Sequence, residues 1–308
     1  MKPFSTYQHL VGTPMTERDQ QEINSQFWNE GKWNNFVNPF LPDNADGLTL
    51  VDMGCNAGLH VKMAEDHGFS QVIGVDSDQE AIVKGNKYRD QIGGKYELRL
   101  QRMEDSIDQL PVADYTTFIN AHYYFNVADW LDYLDRLRFK TINCIVVTAA
   151  KNPVYDHVSS GVEEIRDYFQ DWKEYGFVKM GPEHSNETHA REMTSLIFKS
   201  KLERVAIDKL DNGNNQQRGF LRQLDGGVPY GKTDYYRRFW SYREHKWTPE
   251  KMNKFMKERV SLYQDVKEHG LLKPIVVKKS NLRVVDGNHR ADIARHLGIK
   301  SIIVRWVL

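Results

Sequence analysis

Gly54 and Gly58 bracket the stretch Gly54-Cys55-Asn56-Ala57-Gly58, and an acid, Asp76, follows about 20 residues later. Glycines let a backbone come close to a ligand, and a carboxylate can accept both hydrogen bonds of a ribose diol. The chemistry implied is nucleoside binding. A second group, Asp286-Gly287-Asn288-His289-Arg290, has the makings of an anion site, because free amides at a helix start, Arg290 and His289 would converge on a phosphate. His122, in Asn120-Ala121-His122-Tyr123-Tyr124, is a candidate base toward an acceptor hydroxyl, with packing in an aromatic cluster as the competing reading. Gly226 to Thr233 satisfies the phosphate-loop pattern G-x-x-x-x-G-K-S/T and offers Lys232. Cys55 lies in the glycine turn, where any small side chain suffices, and a nucleophilic role is the weaker reading.

The elements around these residues follow from hydrophobic spacing. Leu48–Met53 is a short run of β-formers and reads as a buried strand. Helical spacing begins at Leu59, with Val61, Met63 and Ala64 apolar and Gly68 as a stop. Val72–Val75 is a second buried strand ending in Asp76, which completes half of a nucleoside-binding crevice. Helices are then expected over Gln79–Tyr88, Asp129–Leu137 and Val162–Tyr175, and strands over Tyr96–Arg102, Tyr115–Asn120, Ile142–Thr148 and Thr194–Phe198. The carboxyl end of the Tyr115–Asn120 strand lies above the crevice and carries His122 toward it.

Around Asp286 the pattern differs. Leu262–His269 reads as a helix, Leu271–Val277 turns into a strand, and Arg283–Val285 is the next strand. Ala291–Leu297 is a helix stopped by Gly298, and Ile302–Val307 is a last strand. A true phosphate loop requires a preceding strand and a following parallel domain, so Gly226–Thr233 reads as a loop serving the Asp286 site or as a surface turn. Tyr235, Tyr236, Arg237, Arg238, Phe239 and Trp240 could hold a nucleotide base or acceptor, or form a domain interface.

At 308 residues, 40% hydrophobic and 27% charged, the chain reads as a soluble globular protein with room for two domains. The expected divisions are 1–46, 47–204 and 205–308, with the Asn- and Gly-rich Asp208–Gln217 as a linker or loop. Residues 205–308 hold 21 Lys and Arg against 11 Asp and Glu, a net of +10, so residues 1–204 hold 21 against 31 and carry −10. A basic domain suits a phosphate-bearing ligand, from nucleotide to nucleic acid, or is a solvated face. No run of about 18 apolar residues is present and the first residues lack a secretory core, so no membrane partner is expected. Cys55 and Cys144 fit no metal spacing, which favours a cytoplasmic setting. The leader 1–46 carries Trp28 and Trp33 and a cap at Thr16, and reads as a helical lid or a packed helix.

Asp52 stands two residues ahead of the glycine turn, and the resulting D-x-G-x-x-x-G resembles motif I of the class I S-adenosylmethionine-dependent methyltransferases. The resemblance implies a Rossmann-like α/β domain whose last strand is antiparallel. It also implies a cofactor held by Asp52, Gly54, Cys55, Asn56, Gly58, Asp76, Ser77, Glu104, Asp105 and Asn120. The runs W-N-E-G-K-W, D-M-G-C-N-A-G-L-H and F-I-N-A-H-Y-Y are similar to the wobble-uridine carboxymethyltransferase branch, a hint about fold branch alone.

The pair G-L-L-K-P-I-V-V and V-V-D-G-N-H-R-A-x-x-A-x-x-L-G resembles the ParB/sulfiredoxin fold. That resemblance implies a smaller α+β domain binding ATP or CTP with Mg2+, with Gly287 and Asn288 at the nucleotide, where the Gly226–Thr233 loop would add Lys232. Asp286 would activate a hydroxyl or hold the metal, beside His289 and Arg290. Asn288 stands where the kinase branch has the first His of D-G-H-H-R, and the sulfiredoxin cysteine is absent. Together the resemblances imply a bifunctional methyltransferase and kinase acting on a small-molecule or saccharide acceptor. The alternative is a methyltransferase acting on nucleic acid, with a second domain that only binds nucleic acid or nucleotide.

Overall fold

A computed structural model describes residues 30–125, 127–149, 162–180, 193–211 and 216–307. The expected lid helix near Thr16 and Trp28 lies outside the described residues. The chain divides into two compact units, Met1–Gln109 with Ala113–Lys201, and Leu110–Val112 with Leu202–Leu308.

Unit 1 opens with a helix over 30–36 (α1). Then come β1 (Thr49–Met53), α2 (Leu59–Asp66), β2 (Gln71–Asp76), α3 (Gln79–Ile92), β3 (Glu97–Leu100) and α4 (Met103–Ser106). After these follow β4 (Ala113–Ile119), α5 (Val127–Leu137), β5 (Thr141–Ala149), α6 (Val162–Tyr168), β6 (Lys173–Met180) and β7 (Met193–Lys199). β1 is buried along its whole length, as a strand covered on both faces must be. α3 is capped by Asp78, whose carboxylate accepts the Ala81 N–H, and it stops at Gly93.

The strands order as β3-β2-β1-β4-β5-β7-β6. β3, β2, β1, β4 and β5 run parallel, and β7 is antiparallel to both β5 and β6. This is the expected Rossmann-like α/β fold. The chain winds outward through β2 and β3, then returns to β4, so strand order reverses between β1 and β4. In open α/β sheets that reversal opens a crevice at the strands' carboxyl ends.

One expectation fails in unit 1. The helix predicted over Val162–Tyr175 ends at Tyr168, and Lys173–Met180 is a strand. Gly176 sits mid-strand because a Cβ there would meet the Phe40 ring at 2.7 Å. A mid-strand glycine, in a strand with no fully buried position, hides it from a periodicity argument.

Behind β4 and β5, Phe118, Phe125, Trp130, Tyr133, Phe169 and Phe198 form a fully buried aromatic cluster. Trp130 is its hub, with ring centroids 5.3 Å from Phe118, 5.1 Å from Phe125 and 6.1 Å from Phe169.

Unit 2 comprises β8 (Leu202–Ala206), α7 (Gln216–Asp225), α8 (Asp234–Arg243), α9 (Pro249–His269), β9 (Ile275–Lys278), β10 (Arg283–Asp286), α10 (Asn288–His296) and β11 (Ser301–Val307). Its sheet orders as β10-β9-β11-β8, with only the β9–β11 pair parallel. Ile275, Val277, Val284, Ala291, Ile302 and Val304 form its sheet–helix core.

In unit 2 one helix start is corrected, and two readings that the sequence left open are narrowed. Asp208–Gln217 does not separate two folded parts. Its described residues, 208–211 and 216–217, belong to unit 2, where Ile207 and Leu210 are buried and α7 has begun by Gln216. The helix read from Leu262 starts at Pro249, behind a Thr248 hydroxyl that accepts the Lys251 N–H. Gly226–Thr233 follows α7 rather than a strand, and buried Thr233 caps α8, accepting the Tyr236 N–H at 3.2 Å. A phosphate loop is thereby excluded at this position. No described helix is long and apolar enough to cross a membrane.

Candidate functional site

The turn after β1 is held from below by β2. Gly54 and Cys55 donate their N–H groups to the Val75 carbonyl at 2.8 and 3.0 Å. Gly54 has φ +76°, and a Cβ on it would lie 2.6 Å from the Ala121 Cβ. Only glycine fits. Asn56 follows at φ +52°, a conformation asparagine tolerates better than most residues, and its side chain accepts the Ala57 N–H. Gly85 of α3 passes so close that a Cβ would sit 2.4 Å from the Ala57 carbonyl oxygen. Sequence spacing did not single out Gly85, although a glycine inside a helix is a signal of close approach.

Asp76 locks this turn. One carboxylate oxygen accepts the Asn56 N–H at 2.7 Å, and the other accepts the Asp78 N–H at 2.8 Å. Burial still pushes its pKa above the ordinary carboxylate range, with those backbone N–H groups opposing. Each oxygen keeps a second lone pair, so the group can serve the turn and a diol together.

Asp52 lies inside the sheet, paired in register with Gly74 and Thr117. Its Oδ1 accepts the Thr117 hydroxyl at 2.6 Å, while Oδ2 is buried without a hydrogen-bond partner. Burial pushes this carboxyl up to about 7; the Thr117 bond pulls it down and the negative charge of Asp76 adds to the rise. Across β1, Asn120 ends β4 at φ +55°, and its buried Oδ1 likewise lacks a partner. Two orphan acceptors beside a glycine turn fit a ligand that brings its own donors. Thr117, the partner of Asp52, had no mark in the sequence beyond being a polar residue in a buried strand.

Asp52 gives a pH prediction. The fold raises its pKa above the unfolded value of about 4, so its stabilising protonation is complete below that pH and lost as pH rises through about 7. Asp52→Asn should therefore gain on the wild type between pH 4 and 7, by on the order of 4 kcal/mol, and then hold level. Urea unfolding of both proteins across this range checks it; a stability difference independent of pH would contradict it.

The remaining expected cofactor residues are spread around the same sheet end. Glu104, at the start of α4, pairs with Arg102 at 2.9 Å, while Asp105 and Ser77 are exposed. Cys55 is fully buried with its thiol pKa pushed up, so it stays a thiol rather than a nucleophilic thiolate. His122 is fully buried, its ring 6.2 Å from that of Trp130, and burial pulls it down to about 4. At neutral pH it is an uncharged imidazole within the aromatic cluster.

In unit 2, β10 ends in Asp286, whose carboxylate is 72% exposed, and Gly287 caps α10 at φ +91°. Arg290 turns back on this junction. Its Nη1 donates to the carbonyls of Lys273 and Pro274 at 2.7 and 3.1 Å, and its Nη2 donates to Asp286 at 3.1 Å. The guanidinium thus braces the loop before β9 and holds one side of Asp286. Asn288 is exposed, His289 contacts the Gln217 amide, and Lys232 is exposed in the short turn Tyr230–Lys232. On the far side of the helices, Asp225 accepts the Tyr263 hydroxyl at 2.5 Å and meets His296 at 2.6 Å, bonds that pull its pKa down to about 2.

No family model matches the chain, and no curated protein matches it. Among solved structures it is similar to the PH0226 protein of Pyrococcus horikoshii OT3, at 14% identity over 60% of this chain and 94% of that one, with a TM-score of 0.47. It is similar to magnesium protoporphyrin IX methyltransferase of Synechocystis PCC 6803 with bound S-adenosylmethionine, at 13% identity over 61% and 87%, TM-score 0.44. The N-methyltransferase NodS of Bradyrhizobium japonicum WM9, in complex with S-adenosyl-L-homocysteine, matches at 12% identity over 59% and 87%, TM-score 0.42. At these identities and scores the matches carry no assignment of activity or substrate to this chain.

Proposed function

We propose that unit 1 is an S-adenosylmethionine-dependent methyltransferase of the cytoplasm, joined in one chain to a unit that acts on a small hydroxyl-bearing metabolite or saccharide. One observation carries this reading: the Asp76 carboxylate, at the end of β2, is bonded to the Asn56 N–H of the glycine turn beside the β1–β4 crevice. Asp76 would take the ribose hydroxyls, and the buried Oδ2 of Asp52 and Oδ1 of Asn120 would accept donors of the cofactor's amino-acid part. The cofactor, when bound, supplies an activated methyl group. The chain contributes placement and exclusion of water, which is where most of the acceleration in such a transfer arises.

Unit 2 is read as a nucleotide-dependent kinase using ATP or CTP. The exposed Asp286 beside the left-handed Gly287 and the first amides of α10 supports this, with Asp286 taking up the proton of a substrate hydroxyl. Among the described residues no cluster of three or more metal-ligating side chains is present. Mg2+ would therefore rest on Asp286 and the nucleotide's own phosphates, a usual arrangement for this ion. The net +10 of residues 205–308 favours a second reading, a non-catalytic module that carries unit 1 to tRNA or DNA.

The test is to incubate the full chain with Mg2+ and ATP or CTP, with and without metabolite or nucleic-acid pools, and to measure diphosphate release. Release that requires both an added acceptor and Asp286, judged with Asp286→Asn, supports the kinase. Nucleotide binding without turnover removes it, and binding of nucleic acid that falls steeply with salt selects the targeting reading.

A further inference from the structure

In unit 2, α7 and α8 enclose a cleft of about 760 Å³, within the size range of small-ligand sites. Arg222, Arg238 and Arg243 line it together with Tyr235, Phe239 and Tyr242. The charges there are not balanced. Asp234 is the acid of the lining, and it is already engaged by Arg237 at 3.0 Å and by the Gln223 side chain at 2.9 Å. Among the described residues the guanidinium groups of Arg222 and Arg238 make no ion pair or hydrogen bond. Arg243 lies over the rings of Tyr242, Phe239 and Trp247 at 5.1, 5.6 and 5.6 Å, and its buried Nε has no hydrogen-bond partner.

Three cations gathered without counter-charge repel one another, and an anion with several charges relieves that repulsion. The second component is aromatic. Tyr235 and Phe239 follow one another along α8 with rings 5.8 Å apart, and the Tyr242 ring is 69% exposed. Exposed aromatic surface beside arginines suits a planar base, which stacks on rings and guanidinium faces alike. Where Gly219 borders the cleft, nothing lies within 4 Å of the place a Cβ would occupy.

We infer that the α7–α8 cleft binds a free nucleotide, its phosphates on Arg222 and Arg238 and its base against Tyr235, Phe239 and Tyr242. None of the residues Asp286 to Arg290 lines this cleft. Gln217, at the start of α7, contacts His289 of that junction. The site is distinct from the Asp286 junction and does not depend on the kinase reading.

Photolabelling of the full chain with 8-azidoadenosine triphosphate, without added metal, tests it. Label is expected in peptides from 216–243, displaced by ATP but not by equal concentrations of adenosine or tripolyphosphate. The double variant Arg222→Gln with Arg238→Gln, both exposed positions, should weaken labelling about tenfold, and Tyr242→Ala should weaken it less. Circular dichroism establishes that the variants are folded. Label confined to 273–290 would overturn the cleft and leave the Asp286 reading standing. Labelling indifferent to the arginines, or displaced equally by tripolyphosphate, would also overturn it, as would far stronger displacement by a short oligodeoxythymidylate, which would mark a strand-binding groove.

Discussion

Asp76→Ala should weaken binding of S-adenosyl-L-homocysteine by at least about 100-fold, or roughly 2.7 kcal/mol. Two losses add. The ligand loses the acceptor for its ribose hydroxyls, and the turn loses the group that accepts Asn56 and Asp78 N–H bonds at 2.7 and 2.8 Å. Asp76→Asn separates the two, because its amide keeps one acceptor oxygen for the turn but turns a donor toward the other N–H. It should fall between the wild type and Asp76→Ala. Calorimetric titration reads all three, and labelling of the α7–α8 cleft serves as a control that should not change. An Asp76→Ala protein that stays folded and binds the ligand as well as the wild type would remove the methyltransferase reading.

Trp130→Ala should be the most damaging single change to stability in unit 1. The side chain is fully buried, packed edge-on to Phe118 and Phe169 and stacked on Tyr133 at 6.4 Å, so truncation leaves a large cavity among rings that cannot collapse into it. The expected cost is about 3–5 kcal/mol. A domain is commonly stable by only about 5–15 kcal/mol, so much of the unit's margin would go. Trp130→Phe should recover over half of that, because the indole N–H is buried without a partner and its removal forfeits no hydrogen bond. Urea denaturation followed by circular dichroism decides it; a cost under about 1 kcal/mol for the alanine variant would contradict the packing argument.

The crevice was legible in the sequence because its parts are local. A buried strand, a glycine turn, a helix and an acid lie within residues 48–80, and each follows from short-range rules of backbone sterics and hydrophobic period. The unpaired Oδ2 of Asp52 was not legible, because its environment is made by Thr117 on a strand 65 residues away. β6 escaped for a related reason: Gly176 weakens the strand signal and is there only because Phe40 packs on it. In unit 2 the polar run after Asp208 read as a linker or a loop, and it is Ile207 and Leu210, in the core on either side of that acid, that decide for a loop. Composition averages over such anchors. Arg290 was singled out as an anion ligand by residue type, and its bonds to the Lys273 and Pro274 carbonyls depend on a loop distant in sequence.

The position of β7 has a consequence for how the protein is made. β5 is finished at Ala149, but its outer edge stays bare until β7 is complete at Lys199, about 50 residues later. At roughly 5–20 residues per second, synthesis of that interval lasts about 2.5–10 s. Throughout it the nascent chain carries one unpaired edge on a strand holding Ile142, Ile145, Val146 and Val147, and β6 has no strand neighbour until β7 arrives. Such an edge is a template for pairing with another chain. A polypeptide cut before Met193 keeps that edge permanently, so the demand for chaperones should fall on chains at this one stage of translation.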